Sequence, residues 1–125
     1  MWLFTQHGFF SVVCGRESGG SGSQIDPDVI MIRGRRRSEM QALRDRFDVL
    51  RDCDIAENGG TDYRYRMVVN KAAWQQVARA LAEEIDYGNF KSRCAQTVGG
   101  AYEEALHRIW DIMWKHQQGE PNDAS

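Results

Sequence analysis

The chain predicts an α+β fold, a two-layer sandwich in which an antiparallel sheet of about four strands carries its helices on one face, ferredoxin-like or a related arrangement. Three observations lead there. Aromatic and β-branched segments at Trp2–Cys14, Val29–Ile32 and Tyr63–Val69 have strand character, with a short candidate at Ile55-Ala56. Apolar residues recur at helical spacing in three other stretches. The resulting order is strand, strand, helix, strand, strand, helix, helix, which sets two strand-strand-helix units in one sheet. A length of 125 residues suits a single domain over residues 1–118 with a flexible tail over 119–125.

Each element has its own reason. Gly8 interrupts Trp2–Cys14 and predicts a bulge or a tight turn, hence either one bent strand or a short hairpin. Continuous apolarity from Phe9 to Val13 predicts burial on both faces, as in a central strand. Gly15 to Gln24, dominated by Gly and Ser, reads as a surface connection. It is no phosphate loop, because no lysine precedes Lys71. Asp26-Pro27-Asp28 reads as a turn leading into the second strand. Ser38-Glu39-Met40-Gln41 fits a capping box heading a helix from Glu39 to Leu50, with Met40, Leu43, Phe47 and Leu50 inward. Asn58-Gly59-Gly60 is a turn signal. In the strand after it, Tyr63, Tyr65 and Met67 are expected on one side and Arg64, Arg66 and Val68 on the other.

Asn70 is placed to cap a second helix with Trp74, Val77, Ala78, Leu81 and Ile85 as its stripe. Asp86-Tyr87-Gly88-Asn89 breaks that helix, and Phe90 to Ala95 predicts a short helical turn. A last helix from Ala101 to His116 turns Tyr102, Ala105, Leu106, Ile109 and Met113 inward, with Trp110 and Trp114 widening its apolar face.

Composition narrows function by exclusion. Four Trp, four Tyr and five Phe exclude a disordered coil, and a net charge of −2 excludes a polybasic protein. No apolar run reaches the roughly 18–20 residues of a membrane span. Cys14, Cys53 and Cys94 are widely spaced, and the opening Met-Trp-Leu-Phe-Thr-Gln-His lacks the basic and cleavage features of an export signal. A reducing, cytoplasmic address is expected, with each thiol a core or half-buried hydrophobe. Cys94, following Lys91 and Arg93, is the one to test for reactivity. Neither a metal nor a cofactor is expected: His7, His107 and His116 lie far apart, and no H-E-x-x-H or paired Cys/His spacing occurs.

Three constellations carry polar chemistry. Arg33-Gly34-Arg35-Arg36-Arg37 joins the second strand to the first helix. A guanidinium fork matches two phosphate oxygens, which makes Arg33, Arg35, Arg36 and Arg37 candidate phosphate contacts. The competing and stronger reading is neutralisation by nearby Glu39, Asp45, Asp48, Asp52 and Asp54. Gly60 to Arg66 supplies Asp62, Tyr63 and Arg66 as candidate binding residues, against a plain turn and amphipathic strand. Asp86 to Ser92 supplies Asp86, Tyr87, Asn89 and Lys91, against capping by Asn89 and Ser92 and packing by Tyr87 and Phe90.

The blocks Met1-Trp2-Leu3-Phe4-Thr5, Gly8-Phe9-Phe10-Ser11-Val12-Val13, Gly60-Thr61-Asp62-Tyr63 and Asp86-Tyr87 with Asn89-Phe90-Lys91-Ser92 together resemble a family of short uncharacterised bacterial proteins. They span residues 1 to 92. The stretch after Gly15 looks like an elaboration of a connection that is shorter in similar proteins. The resemblance implies a bacterial cytoplasmic setting, points to the second and third constellations rather than the arginine run, and supplies no catalytic residues.

The expectation is a non-catalytic binding or regulatory module working through a protein partner or as a homodimer. Trp2, Phe4, Phe9, Phe10, Tyr63 and Tyr65 offer more aromatic surface than helices on one face cover. The alternative is nucleic-acid binding or metal-independent RNA cleavage, with Tyr63, Arg66 and Lys91 at the reaction centre, although the aromatic motif of RNA-recognition domains is absent. Small-ligand sensing in a crevice near Asp62 and Asn89 ranks last. A single site built from the second and third constellations requires those two segments to meet.

Overall fold

The computed structural model of the protein describes residues 1–16, 24–58 and 61–121. Among them, five strands form one antiparallel sheet: β1 (Trp2–Thr5), β2 (Gly8–Arg16), β3 (Ile25–Gly34), β4 (Ala56–Glu57) and β5 (Tyr65–Asn70), in the order β1-β2-β3-β5-β4. The helices are α1 (Arg37–Arg46), α2 (Lys71–Glu83), α3 (Phe90–Thr97) and α4 (Gly100–Gln118). This is the expected α+β class, with one strand more than the sequence pattern predicts. The chain order differs from the β-α-β-β-α-β of the ferredoxin-like fold, so the arrangement is a related one. Two compact units are distinguished: Met1–Asp86, holding the whole sheet with α1 and α2, and the chain from Tyr87 onward, holding α3 and α4.

Gly8 makes a hairpin. β1 and β2 pair across Gln6-His7, with Phe4 opposite Phe9 and Thr5 opposite Gly8. Thr5 Oγ1 donates to the Gly8 carbonyl at 2.9 Å and accepts from the His7 N–H at 3.1 Å. Gly8 has φ of +138°, a conformation that side chains resist. A Cβ there would also lie 2.4 Å from Glu39 Oε1. Glu39 needs that room, because its buried carboxylate accepts from the Phe9 N–H at 2.8 Å and latches the first turn of α1 to the hairpin.

The capping box does not form. α1 starts at Arg37 with Arg36 as its N-cap and no side-chain cap, so Ser38 already lies inside the first turn, beyond the position from which a hydroxyl caps. The helix also stops earlier than its apolar spacing predicts. Phe47 is extended (φ −118°, ψ 118°), and a 3-10 turn over Asp48–Leu50 carries Leu50 into the core. The Asp26-Pro27-Asp28 turn signal is realised inside β3 as an irregularity. Cys14 stands opposite Ile30 but Gly15 opposite Asp26, and the Asp28 N–H donates to Asp26 Oδ1 at 3.0 Å. Proline lacks a ladder donor, and an irregularity is where a strand tolerates it. The Gly15–Gln24 connection falls largely outside the described residues, as do Gly59 and Gly60 of the turn signal and residues 122–125 of the expected tail; Gly15 and Arg16 belong to β2.

The core fills one side of the sheet. Phe10, Val12, Ile30, Ile32, Met67 and Val69 point into it and meet Met40 and Leu43 of α1 and Ala73, Trp74 and Val77 of α2. Asn70 caps α2 as expected, accepting from the Ala73 N–H at 2.7 Å. Ile85 lies past the helix end and is exposed rather than part of the stripe. In the second unit, Asn89 caps α3 by accepting from the Ser92 N–H at 2.9 Å. Tyr102 and Leu106 of α4 are buried, whereas Ala105, Trp110, Met113 and Trp114 are exposed. The 19 residues of α4 far outrun the eight of α3, so within this unit the last turns of α4 lie beyond any helix that could cover them.

Candidate functional site

Residues paired across neighbouring strands point to the same side of a sheet. The register therefore places Trp2, Ser11, Arg33 and Arg66 in one row across β1, β2, β3 and β5. Phe4 opposite Phe9, and Val13, Met31 and Val68, flank that row on the same face. The core to which α1 and α2 contribute contains none of these residues. Trp2 is 68% exposed and Val68 is 42% exposed. This is the open face of the sheet.

Arg33 and Arg66 stand directly opposite each other on adjacent strands. Arg33 Nη2 donates to Ser11 Oγ at 2.8 Å. Arg66 Nη2 donates to Thr61 Oγ1 at 2.9 Å and to the Tyr63 carbonyl at 3.3 Å, and its Nη1 lies 4.0 Å from Met31 Sδ. Among the described residues neither guanidinium meets a carboxylate, and the Nε of each is buried without a hydrogen-bond partner. Facing like charges on neighbouring strands is unfavourable, and a buried donor left unpaired costs about 1–3 kcal/mol. Arg33, Arg66, Met31, Val13 and Met1 line part of a depression of about 850 Å³.

Tyr63 sits beside the pair, 5% exposed, with the guanidinium carbons of Arg35 and Arg33 at 4.3 and 4.5 Å from its ring centroid. Its ring is 6.4 Å from that of Phe9, so Tyr63 joins the open face, whereas Met67 faces the core and Tyr65 packs against it. Strict alternation from Tyr63 to Met67 fails because β5 begins only at Tyr65. Residues 61–63 bend instead, with Thr61 Oγ1 donating to the Tyr63 carbonyl at 2.7 Å.

The rest of the arginine run is neutralised, but of the acids that the competing reading names only Glu39 takes part, while Asp62 and Glu57 answer Arg35 and Arg37. Arg35 Nη1 donates to Asp62 Oδ1 at 3.1 Å, and that hydrogen bond holds the Arg35 pKa above its ordinary value. Arg36 lies 3.7 Å from Glu39, and Arg37 2.9 Å from Glu57. Glu57 also accepts from Arg64 Nε at 2.8 Å, and both arginines lie over the Tyr65 ring, at 5.0 and 5.7 Å. Two tyrosines are thus each flanked by two guanidiniums. Among the described residues, both cations around Tyr65 share a carboxylate, whereas around Tyr63 only Arg35 has one.

The third constellation resolves into local roles. Asp86 ends the first unit and is exposed. Tyr87 has its ring 5.8 Å from that of Phe90 and 5.1 Å from the Arg93 guanidinium. Asn89 is the α3 cap. Lys91 Nζ lies 3.4 Å from His107 Nδ1 and 5.5 Å from the Trp110 ring, beside a depression of about 450 Å³ that Glu103 and Glu104 also line. Arg33, Arg35, Asp62, Tyr63 and Arg66 come together, joining the first constellation to the second. Sequence reasoning missed Ser11 and Thr61. The signal for Ser11 was a lone hydroxyl inside the apolar run Phe9–Val13.

Cys14 is exposed, Cys53 half-buried and Cys94 buried. Burial pushes the Cys94 thiol up to about 11, so the cysteine singled out for reactivity is the protected one, and Cys14 is the accessible thiol rather than a core hydrophobe. Among the described residues no three His, Cys, Asp or Glu side chains group to hold a metal, and no helix is long and apolar enough to cross a membrane. No protein-family model, no curated protein and no solved structure matches the chain.

Proposed function

We propose that the protein is a non-catalytic binding module whose working surface is the open face of its sheet, engaged by a protein partner or by a second copy of the chain in a bacterial cytoplasm. The observation that carries this reading is a face free of α1 and α2 that presents Trp2, Phe4, Phe9, Met31, Arg33 and Arg66. Aromatic residues, methionine and arginine are the types enriched in interface cores, and arginine and tryptophan are the commonest hot spots. Catalysis is the weaker reading, because the Tyr63 ring lies under two guanidiniums and is 5% exposed, poorly placed to pass a proton to a substrate.

Light scattering across a range of concentrations tests the self-association version. A mass that rises toward twice the monomer, and returns to the monomer in Trp2→Ala, supports it. A mass that stays monomeric at every concentration removes it and leaves a different protein as the partner. A second reading, nucleic-acid binding, is favoured by one observation, the Arg33 and Arg66 pair that no carboxylate answers among the described residues.

A further inference from the structure

We infer that the Arg33–Arg66 pair is a phosphate subsite and that Trp2, in the same row, stacks the attached base, so that the open face takes a nucleotide unit. The inference rests on the open face being the working surface, and it names the chemistry of what lands there. Everywhere else in the arginine-rich segment the fold supplies a counter-charge: Asp62 for Arg35, Glu39 for Arg36 and Glu57 for Arg37. Only at the cross-strand pair are two cations set side by side with their Nε atoms unpartnered and no acid among the described residues. An oxyanion between them would offset the mutual repulsion and accept from both forks at once, a geometry that suits phosphate and that lysines would not reproduce.

The neighbours decide between a bare anion and a nucleotide. Ser11 separates Trp2 from Arg33 in the row, so their backbones lie two interstrand spacings apart, roughly 10 Å, and the middle of the arginine pair half a spacing further. The reach of an arginine and of an indole side chain covers the difference between that gap and the span from a nucleotide's phosphate to its base. Trp2 is 68% exposed, and its ring meets the Phe9 ring edge-on at 5.9 Å, which braces it while leaving it accessible. Aromatic side chains stack on any base, so the site selects the nucleotide class rather than a sequence. The same chemistry is offered by a free nucleotide and by a single strand of RNA or DNA.

The test is fluorescence anisotropy of the full chain with labelled single-stranded RNA and DNA, with an unlabelled nucleoside monophosphate and inorganic phosphate as competitors, at several salt concentrations. Binding is expected to weaken with salt with a log–log slope of about −0.7 for the one phosphate held between the two forks, and Arg33→Lys or Arg66→Lys should weaken it further by losing the fork. Trp2→Ala, at an exposed position that the fold does not need, should cost roughly fivefold or more in affinity with an unchanged circular dichroism spectrum. Competition by the mononucleotide at concentrations near the strand affinity assigns a free nucleotide as the source. Its failure to compete assigns the strand.

Absence of binding at low salt overturns the inference, and so does binding that Trp2→Ala and both lysine variants leave untouched. If no nucleotide probe binds but Trp2→Ala changes the mass in solution, the nucleotide is excluded and the open face remains the working surface. If neither nucleotide binding nor mass depends on Trp2, the nucleotide and the self-association version both fall, and a different protein is left as the partner of this face.

Discussion

Gly8 carries two constraints at once. Its positive φ turns the hairpin, and its missing Cβ leaves the space that the Glu39 carboxylate fills. Gly8→Ala is expected to destabilise the protein by about 1–3 kcal/mol from backbone strain alone, with more from the collision, as measured by urea unfolding. A variant as stable as the parent would mean that the turn relaxes and the latch is dispensable. The thiols give a second prediction at this scale. Ellman's reagent at about pH 8 should titrate one thiol, Cys14, within the mixing phase, while Cys94 reacts only on unfolding, since at that pH its pKa of about 11 leaves it almost wholly protonated and it is buried. Fast labelling of Cys94, located by peptide mapping, would contradict the burial that explains its shift.

At the scale of elements, the edge of the sheet at β4 depends on Glu57. Its carboxylate accepts from Arg64 and Arg37, and those hydrogen bonds hold its pKa below the ordinary carboxylate range. A carboxyl that ionises at lower pH in the folded state than in the unfolded one adds stability that is complete above the unfolded value. That stability is lost as the pH falls through the folded one. Glu57→Gln should therefore be less stable than the parent at about pH 7, and the gap should close as the pH falls below the ordinary carboxylate range; because the group is solvent-exposed, the difference will be small. A gap that persists at the lower pH would show that the carboxylate charge is not its cause. The helix ends teach the same lesson in reverse. Asn70 and Asn89 cap as their sequence positions indicate, while the capping box at Ser38 fails because α1 starts at Arg37 and leaves Ser38 inside the first turn.

For the molecule as a whole, the sheet grades from a buried centre to thin edges. Ile32 of β3 and Met67 of β5 are fully buried and paired on the core side, whereas β4 is two exposed residues long. Hydrogen exchange should find the Ile32 and Met67 amides opening only with global unfolding, and those of Ala56 and Glu57 opening by local fraying and exchanging orders of magnitude faster. Equal protection across all five strands would refute that grading.

Element types were legible from residues 1 to 118 because hydrophobic period and capping are local properties, and so was the α+β class; that Glu39 answers Arg36 is local too, whereas Asp62 and Glu57 reach Arg35 and Arg37 only through the fold. Register was not local. Whether Tyr63 shares a face with Tyr65 depends on where β5 begins, and that is set by Thr61 and Arg66 binding the bend at Tyr63. Nor did spacing along the chain reveal that Arg33 and Arg66, 33 positions apart, stand opposite each other with Ser11 and Trp2 in line. The sequence by itself determined the strands, the helices and the charges they carry. Only the tertiary structure decided which charges are answered and which are left facing one another, because strand pairing is a long-range choice made by burial of the opposite face.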